Sequence, residues 1–280
     1  MLRWAGVELS QQRELRVARD LAGIVDGFAT PGLPYLSAWR RRVACDRWAA
    51  GLVRQVREGR LTPPRDSVLD RVSRQRGPAG DLLDAHTAGV ELQNVLRPTV
   101  AVARFAAFAA LALAEHPDWR DRLSAEVTER GTAVGGPLAT AFGQEVRRLY
   151  PFVPLLAAVA RQPTSFEQCP IAAGSRVLLD VLATNHDPQE WPRPNAFEPE
   201  RFLGTGAEWS SAFVPQGGGR PETGHRCPGE LVTVGLLALT VARLAELDGR
   251  LERSQDAGWS WGRVPAVPRS GVVVTLDDAP

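Results

Sequence analysis

Between Phe213 and Glu230 the chain reads FVPQGGGRPETGHRCPGE, which gathers a histidine, two arginines, a cysteine and five glycines into one loop. Pro228 suits the first position of a helix, so the sequence predicts that Cys227 stands at a helix entrance. There, free backbone N–H groups and the helix dipole favour a thiolate over a thiol. A cysteine so placed is primed as a nucleophile or a metal ligand. A nucleophile needs a base within reach, and His225 is the nearby candidate. A zinc site lacks its other ligands, and a phosphate cradle lacks the lysine that would follow it, because all 33 basic residues of this chain are arginine. A buried structural cysteine beside a glycine-rich turn is the plain alternative.

Two more places could do chemistry. In LQNVLRPTVAVARF, Arg97 precedes a proline inside an apolar run. Pro98 cannot donate to the carbonyl of Asn94, so the sequence predicts a local bend or opening of the helix. Arg97 is then either a guanidinium that snorkels to solvent or a buried one that awaits a planar anion such as a carboxylate. Periodicity does not choose between them. In AFGQEVRRLYP, Glu145 and Arg148 are three apart and share one helix face, a spacing common in weak surface pairs.

The elements that must position these residues are mostly helices. Apolar spacing predicts helices over Glu8 to Phe28 and Ser37 to Arg57, separated by TPGLP. The longest pattern runs from Asp81, a plausible N-cap, to Glu115, and would span about 50 Å as one helix. A short helix ends at Pro151, and SRVLLDVLA after Gly174 has strand length. The proline-rich NHDPQEWPRPNAFEPERF predicts an ordered coil that packs Trp191, Phe197 and Phe202. A helix over Pro228 to Leu247 and a terminal β-hairpin region close the chain. The expected fold is mainly α (α+β), with residues 1–280 as a single domain.

Composition excludes several classes. Of the 280 residues 44% are hydrophobic and 23% charged, ordinary for a globular protein, and a formal net charge of +1 with interleaved signs carries no footprint for nucleic acid. The most apolar stretch, Pro98 to Ala114, contains Arg104 and falls short of the roughly 20 residues of a membrane span, so no span is expected. Cys45, Cys169 and Cys227 are far apart and odd in number, which argues against a disulfide framework. With no export signal at MLRWAGVELS, a cytoplasmic location is expected.

The ordered set of E-x-x-R (Glu145, Arg148), P-E-R-F (Pro199 to Phe202) and a glycine-rich loop into H-R-C-P-G-E resembles the C-terminal half of a cytochrome P-450. The resemblance implies heme b, with Cys227 as the axial thiolate ligand of the iron and Gly229 admitting the porphyrin close to the backbone. It also implies cofactor contacts from His225, Gln216 and Arg161. Glu145, Arg148 and Arg201 match the family's buried structural triad. Compared with a full-length member, roughly the first third of the fold is expected to be absent.

Two departures narrow the resemblance. The loop between Phe213 and Cys227 is longer than the common spacing, and Leu92 occupies the place of the alcohol that most members use to deliver protons. QNVLRPTVAVARF and the long cysteine loop are similar to the bacterial fatty-acid peroxygenases, which consume hydrogen peroxide and need no separate redox partner. In that branch the Arg-Pro pair, here Arg97 and Pro98, is catalytic. It implies that Arg97 binds the fatty-acid carboxylate, which then serves as the general acid-base for peroxide heterolysis. The expected outcome is hydroxylation at the α or β carbon, or decarboxylation to a terminal alkene. Val153, Leu155 and Leu156 are candidates for the acyl channel, or plain core. The alternatives are a reductase-dependent monooxygenase and an inactive relic that binds heme passively or not at all.

Overall fold

The computed structural model describes residues 1–27, 29–247, 249–252, 258–269, 271 and 273–276. Helices dominate, and the chain divides into two compact units: Met1–Ala103 with Gly262–Pro265, and Arg104–Trp261 with Ala266–Pro280.

The first unit is built on α1 (Gln11–Gly27), α2 (Leu33–Arg57), α3 (Val68–Arg74) and the N-terminal part of α4 (Ala85–Glu115). Helix α2 begins four residues before the expected Ser37, because Pro34 falls in its first turn, where a missing N–H costs nothing. Phe28, expected to end α1, lies outside the described residues. Short α3, capped by the Ser67 hydroxyl, has no counterpart in the sequence expectations. Leu21, Ile24, Ala49, Val53, Leu69, Leu92 and Leu96 form one apolar cluster. Small residues bring α2 and α4 together: a Cβ at Gly89 would lie 2.6 Å from the backbone nitrogen of Ala50, so only glycine fits there.

Helix α4 starts at Ala85 rather than Asp81. Asp84 caps it by accepting from the amides of His86 and Thr87, both at 3.0 Å, while residues around Asp81 belong to a tight turn joined by the Arg76–Leu82 bridge. The helix runs without interruption through Pro98, so the expected opening is not seen. Thr99 Oγ1 donates to the carbonyl of Val95 at 2.9 Å on that turn. By length and hydropathy α4 could cross a membrane, but its buried Phe105, Phe108 and Leu111 join the core of the second unit.

That second unit packs the end of α4 with α5 (Pro117–Arg130), α6 (Pro137–Leu149) and α8 (Glu230–Ala245). Prolines open α5 and α6, as their fixed φ favours. Phe105 stacks on Phe152 and Phe108 on Tyr150, with ring centroids 4.5 and 5.0 Å apart. Strand β1 (Leu155–Val159) pairs antiparallel with β4 (Arg176–Asp180), and β2 (Thr164–Phe166) with β3 (Cys169–Ile171). The expected strand after Gly174 stops at Asp180, whose side chain caps the one-turn helix α7 (Val181–Asn185) by accepting from the Ala183 amide. Terminal strands β5 (Gly249–Glu252) and β6 (Val273–Leu276) pair as expected. The proline-rich coil does pack its aromatics, but in two clusters: Trp191 and Phe202 with Phe213, and Phe197 against His116 and Phe142.

Candidate functional site

The cysteine loop is a closed backbone cage. The Cys227 amide donates to the Gln216 carbonyl at 2.9 Å, His225 N to Gly218 O at 3.0 Å, and Gly224 N to Arg220 O at 2.7 Å. Gly217 adopts φ 91°, and a Cβ there would overlap the carbonyl oxygen of His225 outright. Only glycine satisfies both conditions. Helix α8 begins at Glu230, with Gly229 as its N-cap. This corrects the expectation that Pro228 opens the helix: Cys227 precedes it by a turn, and its carbonyl accepts from Glu230 N at 3.1 Å. The thiol is free and half-buried, so access, rather than placement in the first helical turn, is what the structure supplies.

Glu145 and Arg148 are not a surface pair. Both are fully buried and joined by two parallel bonds, Nε to Oε2 at 2.7 Å and Nη2 to Oε1 at 2.8 Å. Arg148 spends its remaining donors on the carbonyls of Asn185, Pro194 and Ala196. Glu145 also accepts from the Glu198 amide at 2.9 Å and faces Arg201 Nε at 3.5 Å. Arg201 in turn forms an ion pair with Glu198 at 2.6 Å. One buried carboxylate thus pins the coil that leads to the cysteine loop.

The arginine directly before Arg148 was not singled out by the sequence. Arg147 is as buried as Arg148, and its guanidinium donates to Gln144, to Glu230 and, at 3.1 Å, to Gln216 Oε1. Burial pulls it below the ordinary arginine value, Glu230 opposes, Arg226 adds to the fall, and a negative charge at Cys227 opposes again. Arg226, also buried, donates to the other oxygen of Glu230 at 3.2 Å. The only signal in the sequence was the doubled arginine of EVRRLY and the glutamate directly after CPG.

In the first unit, Arg97 is half-buried and among the described residues makes bonds only along its own helix, Nη2 to Asn94 Oδ1 at 2.9 Å and Nε to the Gln93 carbonyl at 3.4 Å. It has no carboxylate partner among the described residues. Burial, then the charge of Arg42, pull its guanidinium below the ordinary value, while Asp46 and Cys45 work the other way. Asp46 itself is taken by Gln93 and, at 3.1 Å, by Arg42. Burial, helped by Asp20 and Asp46, pushes the Cys45 thiol up to about 11. Pro98 is exposed, and Leu92 is buried in the apolar cluster.

The remaining candidates divide. Val153 lines a shallow cleft with Arg147, Tyr150, Phe152 and Pro215. Leu155 and Leu156 instead stand on β1, which is exposed on both faces, so the described residues do not form a channel around them. Arg161 is exposed just beyond β1, and His225 is exposed on the cysteine loop. The Gln216 amide is used within the protein, between Arg147 and Thr233.

A helical fold with a buried Glu–Arg–Arg cluster ahead of a caged, accessible cysteine defines a heme-thiolate protein class. The sequence profile of the family Cytochrome P-450 matches residues 99–243, more than half of the chain, and the chain belongs to that family. It is similar to cytochrome P-450 137 of Mycobacterium tuberculosis, 31% identical over 263 residues that make up 90% of this chain and 52% of the relative. Among solved structures it is similar to cytochrome P-450 SP alpha in complex with (R)-ibuprophen, at TM-score 0.84 and 34% identity, covering 98% of this chain and 66% of that one. A second is cytochrome P-450 EX alpha with myristic acid, at TM-score 0.80 and 33% identity, covering 99% and 66%. A third is a variant of cytochrome P-450 OleT in complex with arachidonic acid, at TM-score 0.81 and 30% identity, covering 99% and 66%. The chain thus spans about half the length of the curated relative and just under two thirds of the solved structures.

The family implies heme, and the residues present suit it. The Cys227 thiol is unpaired and accessible, and a Cβ at Gly229 would meet nothing nearer than its sulfur, 3.8 Å away, so the backbone beside the thiol is bare. Behind the loop, two buried arginines face one carboxylate, an excess of positive charge that complements an anionic sulfur.

Proposed function

We propose that this chain carries the thiolate ligand and the carboxylate anchor of a heme b fatty-acid peroxygenase. Its substrates would be hydrogen peroxide and a long-chain fatty acid, its products the α- or β-hydroxy acid or a terminal alkene, with no separate redox partner. The observation that carries this reading is Arg97, a half-buried guanidinium beside Pro98 with no carboxylate partner among the described residues. Asp46, the carboxylate whose charge acts on it, is already engaged by Arg42 and Gln93. Myristic and arachidonic acids, held by two of the similar structures, are ligands of the class such a cation would take.

In this reading Cys227 holds the iron, which supplies the oxidative chemistry when heme is bound. Arg97 orients the substrate by its head group, and the bound carboxylate moves the proton that an acid-alcohol pair would otherwise handle. Leu92, buried and apolar, offers no such relay. Residues 1–280 are part of one domain of the family fold, and the three unpaired cysteines suit a cytoplasmic protein.

Peroxide-driven oxidation of myristic acid by the heme-loaded protein tests the proposal. The Arg97→Ala variant is expected to lose at least ten-fold in turnover per heme, the scale of one charge-assisted hydrogen bond of about 1.5–3 kcal/mol. Undiminished turnover would remove Arg97 from the role.

A further inference from the structure

We propose that Arg147 is a positioning residue for Cys227: its guanidinium ties the entrance of the cysteine loop, at Gln216, to its exit, at Glu230. The inference rests on Cys227 being the heme ligand. Three segments supply the acceptors: Gln144 from α6, Gln216 from the loop, and Glu230 from α8. Gln216 is the residue whose carbonyl takes the Cys227 amide, and Glu230 is the residue whose amide donates to the Cys227 carbonyl. Both neighbours that fix the cysteine backbone are therefore held by one buried cation. A second path closes the same ring, since Gln216 Nε2 donates to Thr233 Oγ1 at 3.2 Å, and that hydroxyl donates to Gly229 O at 3.3 Å. Arg226, with its Nη1 on Glu230 and on the Glu208 carbonyl, braces the exit from the other side.

The planar fork is what the arrangement needs. A lysine would keep the charge but could not reach three acceptors in one plane. Loss of the fork leaves Glu230 buried with one partner and Gln216 held by Thr233 alone at its side chain, so the cysteine would no longer be held at one position. The consequence is a mixture of ligation states in the heme-loaded protein, and not merely a less stable one.

The test uses the full chain reconstituted with heme, reduced and exposed to carbon monoxide. Arg147→Met, Arg147→Lys and Gln216→Leu are compared with the unaltered protein for the fraction of bound heme that shows the far-red-shifted Soret band of thiolate ligation. We expect the larger part of that fraction to be lost in Arg147→Met, with partial losses in Arg147→Lys and in Gln216→Leu. Gln216→Leu leaves the Arg147–Glu230 pair intact and decides the matter if Arg147→Met fails to fold. A red-shifted fraction equal to that of the unaltered protein in Gln216→Leu, or in a folded Arg147→Met, overturns the inference while leaving Cys227 as ligand. Absence of the band in the unaltered protein overturns the ligand assignment and this inference with it.

Discussion

Arg148 and Arg97 both lie on helices amid apolar neighbours, yet the protein treats their charges differently. Arg148 is sealed from water and every arm of its fork meets an acceptor, two of them on one carboxylate. Arg97 is half-covered, bonded among the described residues only to its own helix, and pressed by the like charge of Arg42. A matched buried charge holds a structure together, because removing either partner strands the other. An unmatched one at partial burial contributes little to folding and is available to an anion from outside. The two arginines separate scaffold from proposed binding site more clearly than their sequence contexts do.

The largest effect expected from this contrast is at Glu145. Glu145→Gln should destabilise the protein by about 3–5 kcal/mol, as breaking a buried pair does, read from chemical denaturation. A loss below about 1 kcal/mol would place the cluster with ordinary surface pairs. Next comes the cage around the cysteine. Gly217→Ala must take up positive φ and meet the His225 carbonyl, so a cost of about 1–3 kcal/mol and a fall in heme uptake are expected. Unchanged heme uptake would mean that the loop is looser than its hydrogen bonds indicate.

Arg97→Met should sit at the other end of the stability scale, within about 1 kcal/mol of the parent, while affinity for myristic acid falls by ten-fold or more. Equal losses in stability and affinity would erase the distinction from Arg148. The smallest effect concerns Cys45, behind Arg97. Its thiol is raised from 9.0 to about 11 by burial, Asp20 and Asp46. Being raised in the folded state, it contributes stability that is fully present below about pH 9 and is lost as pH rises through about 11. Cys45→Ala should flatten the alkaline fall in denaturation midpoint across that window, and an unaltered fall would assign it to other groups.

Much of this was legible in the sequence because it is carried by short motifs. Glu145, Arg148 and Arg201 lie in local patterns, and the structure brings them together. Local rules failed at boundaries where two signals compete. Pro228 reads as a helix start, yet the turn from Cys227 to Glu230 comes first, and Pro34 reads as a breaker although a first turn accepts it. Arg147 stayed hidden for a different reason: which of two adjacent arginines turns toward Glu230, 83 positions away, depends on how α6 and α8 pack. The surroundings of Arg97 were hidden likewise, since Asp46 reaches Gln93 across 47 positions. The exposure of Leu155 and Leu156 follows from the isolation of the β1–β4 ladder, which strand periodicity alone does not report.

Everything proposed for this chain passes through the sulfur of Cys227, and the absorption spectrum of the heme-reconstituted, reduced protein under carbon monoxide addresses it most directly. A Soret band shifted far to the red, lost in Cys227→Ser, is the expected result. A protein that binds heme stably but shows no such shift, or shows the same shift without the Cys227 sulfur, would contradict the assignment of Cys227 as the iron ligand.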